Sequence, residues 1–143
     1  MERGCLVSGV AATFTVSGHQ RGLHEITDRV ETIVARSSTD VGTATLFIQH
    51  TSAGLCIQEN ADPSARRDIE GWFDRLAPEG DPAYTHTAEG LDDMPAHLKA
   101  ILTGTSLVVP VIGGTLALGT WQGIYLCEFR SHAPTRSLVV VVQ

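Results

Sequence analysis

The chain has 143 residues, 43% of them hydrophobic and 18% charged, with 10 Lys+Arg against 16 Asp+Glu and a formal net charge of −6. The length suits one domain, at roughly 100–200 residues per domain, with interior enough for a self-sufficient core. The cations are nine arginines and a single lysine, Lys99, which argues against nucleic acid as a partner because phosphate neutralisation needs clustered Lys and Arg.

No apolar run reaches about 18 residues, so no transmembrane helix and no membrane partner are expected. The first residues faintly imitate a signal peptide, but they lack a compact apolar region and alternate like a strand. Cys5, Cys56 and Cys127 are widely spaced and form no CxxC, which suits free thiols in a reducing, cytoplasmic setting.

In chain order, alternating apolar residues predict a strand over 6–16, broken by Gly18 to Gly22. Ile26, Val30, Ile33 and Val34 recur at helical spacing and predict an amphipathic helix over about 24–37. A second strand covers 41–50, with Ala44, Leu46, Ile48 and His50 on one face. A short link suggests a hairpin to a strand over 55–59. Asp62 and Pro63 have the character of N-cap and first helical residue. Ala65, Ile69, Trp72, Phe73 and Leu76 form the apolar stripe of the helix that follows.

Residues 77–92 show no periodicity, and a loop of that length inside a compact domain is often functional. Asp92 or Asp93 can cap the next helix, with Pro95 in its first turn, His97, Ala100 and Ile101 on its face, and Gly104 as its stop. The last forty residues read as strands over 107–112, 116–118, 124–130 and 137–142. Gly113-Gly114 is a hairpin turn. Val139 to Val142 is uninterrupted, which predicts cover on both faces of that strand. The order gives an α+β fold: a single domain over 1–143 with a mainly antiparallel, β-sandwich-like sheet system and helices packed on it.

No nucleotide loop, nucleophile elbow or HExxH helix is present. Chemistry falls to three segments, 49–62, 85–99 and 119–123. His50 ends a strand on its apolar face, where it reads either as a hydrogen-bonded core residue or as a site group beside Thr51, Ser52 and Gly54. His86 lies in the long loop, upstream of Glu89, Asp92 and Asp93. His97 sits in the first helical turn, where the dipole favours a neutral ring and the neighbouring carboxylates favour a charged one. Two or three imidazoles with a carboxylate make an open site of zinc type. Against this, His86 and His97 are separated by a flexible loop, and the plainer reading is a surface histidine and a packing residue. Glu59 and Asn60 have no evident structural task, whereas Asp62 has one as a cap. Gln122 is a candidate polar contact. Arg130 and Arg136 suit phosphate or carboxylate, or simply solvated strand ends. Cys56 reads as a small hydrophobe before a nucleophile. His19, His24 and His132 show no supporting partner.

Together IQHTSAGLCIQENADP (48–63), HTAEGLDDMPAHLKAILTGTSLVVPV (86–111) and LALGTWQGIYLCEF (116–129) resemble the YjbQ-like proteins. The resemblance spans essentially the whole chain. It implies an α+β sandwich-like fold, a homotrimer and a secondary thiamine-phosphate synthase activity, joining a pyrimidine methyl diphosphate to a thiazole phosphate with release of pyrophosphate. It also implies a histidine-rich cleft, onto which His50, His86, His97, Glu59, Asn60 and Asp62 map. One departure is Arg130-Ser131-His132-Ala133-Pro134-Thr135-Arg136, where Thr135 replaces an arginine of the family pattern.

The resulting expectation is a transferase with His50, Glu59, Asn60 and Asp92 as catalytic groups. Ser52, Gln122 and Arg136 are expected to bind a phosphorylated small molecule, and His50, His86 and His97 to hold a divalent metal, zinc or magnesium. The alternatives are a trimeric metal or small-molecule binder without turnover, and a metal-dependent phosphohydrolase.

Overall fold

The computed structural model describes residues 9–143; Cys5 and the start of the first expected strand, 6–8, lie outside the described residues. Eleven elements follow in order: β1 (Val10–Val16), β2 (Gly22–Glu25), α1 (Thr27–Ser37), β3 (Val41–Ile48), β4 (Ala53–Glu59), α2 (Pro63–Leu76), α3 (Asp93–Thr103), β5 (Ser106–Ile112), β6 (Thr115–Leu116), β7 (Gln122–Glu128) and β8 (Arg136–Val142). They build a five-stranded sheet, β1-β8-β3-β5-β6, and a three-stranded sheet, β2-β7-β4. Every ladder is antiparallel. The α+β expectation is met.

The core lies between the sheets because alternate strand residues point inward. Ala44, Leu46 and Ile48 of β3 and Leu138, Val140 and Val142 of β8 meet Leu55, Ile124 and Leu126 of the smaller sheet, and Val30 and Val34 of α1 close one side. The outer face of the smaller sheet is covered by α2 and α3, through Leu23, Phe73, Ala96, Ala100, Tyr125, Cys127 and Phe129. The buried ammonium of Lys99 ties these two helices together by reaching Asp74 Oδ1 at 3.2 Å.

Local signals set several boundaries. Asp62 caps α2, its Oδ1 accepting from the Ser64 N–H at 2.8 Å, with Pro63 in the first turn. Gly113 and Gly114 both take positive φ, 61° and 76°, which a tight hairpin turn requires and side chains resist.

Four expectations are corrected. Residues 22–25 form β2 rather than the start of α1; its pairing with β7 overrides a helical periodicity that begins only at Ile26. β3 and β4 are not a hairpin, since they belong to different sheets and the link between them turns the corner of the sandwich. Trp72, Leu76 and Ile101 stay 49%, 47% and 77% exposed, so the apolar stripes of α2 and α3 are only partly used. Val139 and Val141 are half-buried on an outer face that no helix of the described chain covers. Among the described residues, no helix is long and apolar enough to cross a membrane.

The end of α3 seats on bare backbone. A Cβ at Gly54 would lie 1.8 Å from Thr103 Oγ1, and the Leu55 N–H donates to the Gly104 carbonyl at 3.0 Å. Gly54→Ala should therefore lower stability by about 1–3 kcal/mol, the usual cost of overpacking a tight site. Urea denaturation reads this directly; an unchanged midpoint would mean that helix and strand tolerate a wider separation.

Candidate metal centre

Asp93 opens α3, and its side chain is buried, with the residue only 1% exposed. Two imidazoles converge on one of its oxygens. His86 Nε2 lies 2.7 Å from Asp93 Oδ2 and His97 Nε2 lies 3.0 Å from it. His97 is four residues along α3, on the same helix face. His86 comes from the long loop before α3, so that loop contributes directly to the cluster.

The other carboxylate oxygen is engaged from β7's end. Arg130 Nη1 donates to Asp93 Oδ1 at 2.6 Å, Arg130 Nε to Asp92 Oδ2 at 3.1 Å, and Arg130 Nη2 to the Glu89 carbonyl at 2.9 Å. Asp92 also accepts from the Ser131 N–H at 2.8 Å. Asp92 is thus a clamp partner of Arg130 rather than a side-chain cap on α3.

The proton on His97 is placed by its other nitrogen. Nδ1 lies 2.8 Å from the Thr51 carbonyl oxygen, which can only accept, so Nδ1 carries the hydrogen. In a neutral ring Nε2 is then a bare lone pair aimed at a carboxylate oxygen. Two acceptors at 3.0 Å need a proton or a cation between them. Fixing the tautomer through a backbone carbonyl is the usual outer support of a metal-binding histidine.

The donor set fits a small divalent ion. One atom from each of His86, Asp93 and His97 lies within 4.8 Å of the other two. A tetrahedral zinc ion would hold such atoms about 3.3 Å apart, so the two contacts to Asp93 Oδ2 would lengthen by a few tenths of an ångström and a wider separation of the two imidazoles would close. Asp92, Asp93 and nearby Glu89 outnumber the Arg130 guanidinium, which favours a cation at this point.

Burial alone would push both aspartates up. For Asp93 the hydrogen bond from His86, the charge of His97, a contact with Glu89 and the charge of Arg130 outweigh it and hold the carboxyl below its ordinary range. For Asp92 the Ser131 N–H and Arg130 do the same.

The remaining expected site residues separate. His50 does not join His86 and His97 as a third ligand: its Nε2 accepts from the Ser137 N–H at 2.8 Å. Burial, and then the Arg136 charge, hold its pKa below the imidazole range, as an acceptor requires. It does share with His97 the wall of a 310 Å³ cleft that includes Thr51, Ala100 and Ile101. Arg136 faces inward instead of toward a phosphate. It pairs with the fully buried Glu128, Nε to Oε2 at 2.6 Å, and donates to the Ser52 carbonyl at 3.2 Å. Glu59, Asn60 and Gln122 sit at the far end of β4, about 20 Å from Ala53 at the strand rise. There Asn60 pairs with the backbone of Trp121 and Gln122, and Gln122 Oε1 accepts from the Gly119 N–H at 2.8 Å. Asp93 and Arg130 are central to the cluster although neither is among the expected site residues; the i,i+4 spacing of Asp93 and His97 is the signal that singles out the first.

A family model described as UPF0047 protein YjbQ-like matches residues 12–143. The chain belongs to this family. A UPF0047 protein of Synechocystis sp. is 42% identical over 139 residues, covering 92% of this chain and 95% of that one. The UPF0047 protein YjbQ of Escherichia coli O157:H7 is 43% identical over 132 residues, with the same coverage. Among solved structures, a Sulfolobus solfataricus YbjQ-like protein of unknown function superposes with TM-score 0.86 at 29% identity, covering 94% of this chain and 96% of that one. An uncharacterized conserved protein of the YjbQ/UPF0047 family from Clostridium acetobutylicum gives 0.81 at 36% identity, covering 94% and 99%. These findings overturn the expected thiamine-phosphate synthase: the relatives bear a family name of unknown function, and the synthase and transferase assignments are withdrawn.

The aspartates set an acid limit on the fold. Their folded pKa values lie below the unfolded value of about 3.9, so the stabilisation they give is complete above that pH and is lost as pH falls through the folded value. Asp92→Asn should lower the thermal midpoint at pH 6, and the gap to wild type should close toward pH 2. A gap that stays constant with pH would show that the Arg130 clamp does not depend on the Asp92 charge.

Proposed function

We propose that His86, Asp93 and His97 hold one divalent transition-metal ion, and that the protein acts through this Lewis-acid centre on a small molecule. The observation that carries the reading is the placement of His97, whose Nδ1 is held by the Thr51 carbonyl while Nε2 is aimed, beside His86, at the buried Asp93 carboxylate. Two imidazoles and one carboxylate suit zinc better than magnesium, which prefers oxygen donors and retains its waters.

Each residue then has a distinct task. Thr51 holds the His97 tautomer. Arg130 occupies Asp93 Oδ1 and leaves Oδ2 directed at the two rings. Asp93 supplies one negative charge against a doubly positive ion, and Asp92 balances Arg130. When bound, the ion supplies polarisation of a water or carbonyl group at the position that three protein donors leave free. Arg130 and Arg136 are both engaged by carboxylates, so the ion itself is the electrophile available to substrate.

Calorimetric titration of chelator-treated protein with zinc should give one equivalent per chain. His86→Ala, His97→Ala and Asp93→Asn should lose stoichiometric binding, and Arg130→Gln, which removes an outer partner, should weaken it about 10–100-fold. His24→Ala should bind as wild type. Equal binding by wild type and His97→Ala would sink the reading.

A second reading concerns assembly. The outward face of the five-stranded sheet exposes Val41 (74%) and Phe47 (46%) on β3 and Val108 (62%) and Ile112 (61%) on β5, with Val139 and Val141 beside them on β8, and none of the outward positions on β1, β3, β5 and β8 is charged. Contiguous apolar patches of this kind mark protein contact surfaces. Further copies of the chain are the proposed cover, and the proposed assembly is the homotrimer that the family resemblance implies. Sedimentation should give three times the 15.3 kDa chain, and Val108→Glu should reduce it to one. A wild-type monomer at micromolar concentration would refute this.

A further inference from the structure

Cys56 on β4 and Cys127 on β7 face each other with Sγ atoms 3.3 Å apart. The ladder register explains why. Cys127 lies opposite Gly54, which has no side chain, and Cys56 lies opposite Tyr125. Gly54 places no side chain beside Cys127, its position being taken by Thr103 of α3, and the Cys127 thiol lies diagonally along the sheet against Cys56. Both point to the face covered by α2 and α3, where Cys127 is fully buried and Cys56 is partly exposed. Cys56 is therefore the residue of the pair that solvent reaches, and the Cys127 thiol is held in contact with it in the interior.

We infer that Cys56 and Cys127 form a peroxide-oxidised dithiol site, in which Cys56 is the sulfur attacked first and Cys127 the resolving thiol. The chemistry balances with a hydroperoxide as oxidant. The Cys56 thiolate attacks the terminal peroxide oxygen, the O–O bond breaks, and an alcohol, or water from hydrogen peroxide, departs with the proton. Cys56 is left as a sulfenic acid. Cys127 Sγ then attacks Cys56 Sγ, the S–O bond breaks, and the thiol proton leaves with the hydroxide as water. Two thiols and one hydroperoxide become a disulfide, an alcohol and a water, with two electrons passing from sulfur to peroxide.

The order of the two steps follows from the contact. The Cys127 S–H donates toward Cys56, which favours the Cys56 thiolate and outweighs its burial. The same contact, together with burial, pushes the Cys127 thiol up and keeps it protonated until the sulfenic acid forms. Closing the bond requires the sulfurs to approach by about 1.3 Å. Gly54, two residues from Cys56 on β4, is seated tightly against Thr103, so that adjustment falls to rotation of the side chains rather than to movement of β4. This site is independent of the metal centre.

The test uses the full chain with Cys5→Ser, so that only the two described thiols remain. The folded protein is treated with hydrogen peroxide, unfolded, alkylated with N-ethylmaleimide and weighed intact. The expected product has both thiols blocked to alkylation, a mass lower by two hydrogens, and a Cys56–Cys127 linked peptide that dithiothreitol separates. With Cys127→Ser, dimedone should label Cys56 as the trapped sulfenic acid; with Cys56→Ser, Cys127 should stay fully alkylatable at the same peroxide dose. The inference is overturned if both thiols of the folded chain remain alkylatable. It is equally overturned if Cys56 advances to the sulfinic acid without linking, or if linkage forms only between chains or no faster when folded than in urea.

Discussion

The pair of Arg136 and Glu128 holds the two sheets in their relation. Arg136 begins β8 in the larger sheet and Glu128 ends β7 in the smaller one. Both are almost wholly inaccessible, at 2% and 0% exposure, and the guanidinium also takes the Ser52 carbonyl on the link from β3 to β4. A buried ion pair is weak evidence of net stability, because apolar residues of equal volume often do as well. Removing one partner is different, since it strands a charge and costs about 3–5 kcal/mol. The pair therefore acts as a constraint: any packing of these sheets that separates Arg136 from Glu128 is heavily disfavoured.

The candidate centre hangs from that constraint through a closed circuit of contacts. Glu128 Oε1 accepts from the Arg130 N–H at 3.0 Å. Arg130 grips Asp93, Asp93 meets His97, and His97 returns to the Thr51 carbonyl. The next residue, Ser52, accepts from Arg136 and completes the loop. One strand from each sheet, one helix and the link from β3 to β4 thus fix the orientation of a single imidazole. Rigid support of this kind is what separates a preorganised ligand from a surface histidine.

Much of the fold was legible because local rules and tertiary packing agree in it. Alternation over Ala44, Leu46 and Ile48, the Asp62-Pro63 cap and the Gly113-Gly114 turn each express a rule that acts within a few residues. β2 was not legible. Its four residues are held by pairing with β7, about a hundred positions away, and nothing in Gly22–Glu25 announces that partner. The site divides in the same way. His86 and His97 stand out by residue type and loop context, and Asp93 was discernible by helical spacing. Arg130 and Arg136 look alike in sequence, yet one clamps two aspartates and the other is sealed in the core. Only the corner between the sheets distinguishes them.

The same geometry explains why reading the arginines as phosphate ligands misleads. An acidic chain can hold a phosphate only through local cations, and each candidate arginine here already faces a carboxylate at hydrogen-bond distance. A phosphate would have to displace Asp92, Asp93 or Glu128 and leave a buried carboxylate without its partner. A divalent cation meets the opposite situation. Under the proposed reading it would enter where carboxylates outnumber guanidinium groups, replace a proton between His86 and Asp93, and give His97 Nε2 a partner of suitable charge. Proton and metal would then compete for the same small space, so occupancy by an ion would release a proton and weaken in acid. The negative net charge, unfavourable to nucleic acid and to phosphate, is the field in which such a centre works best.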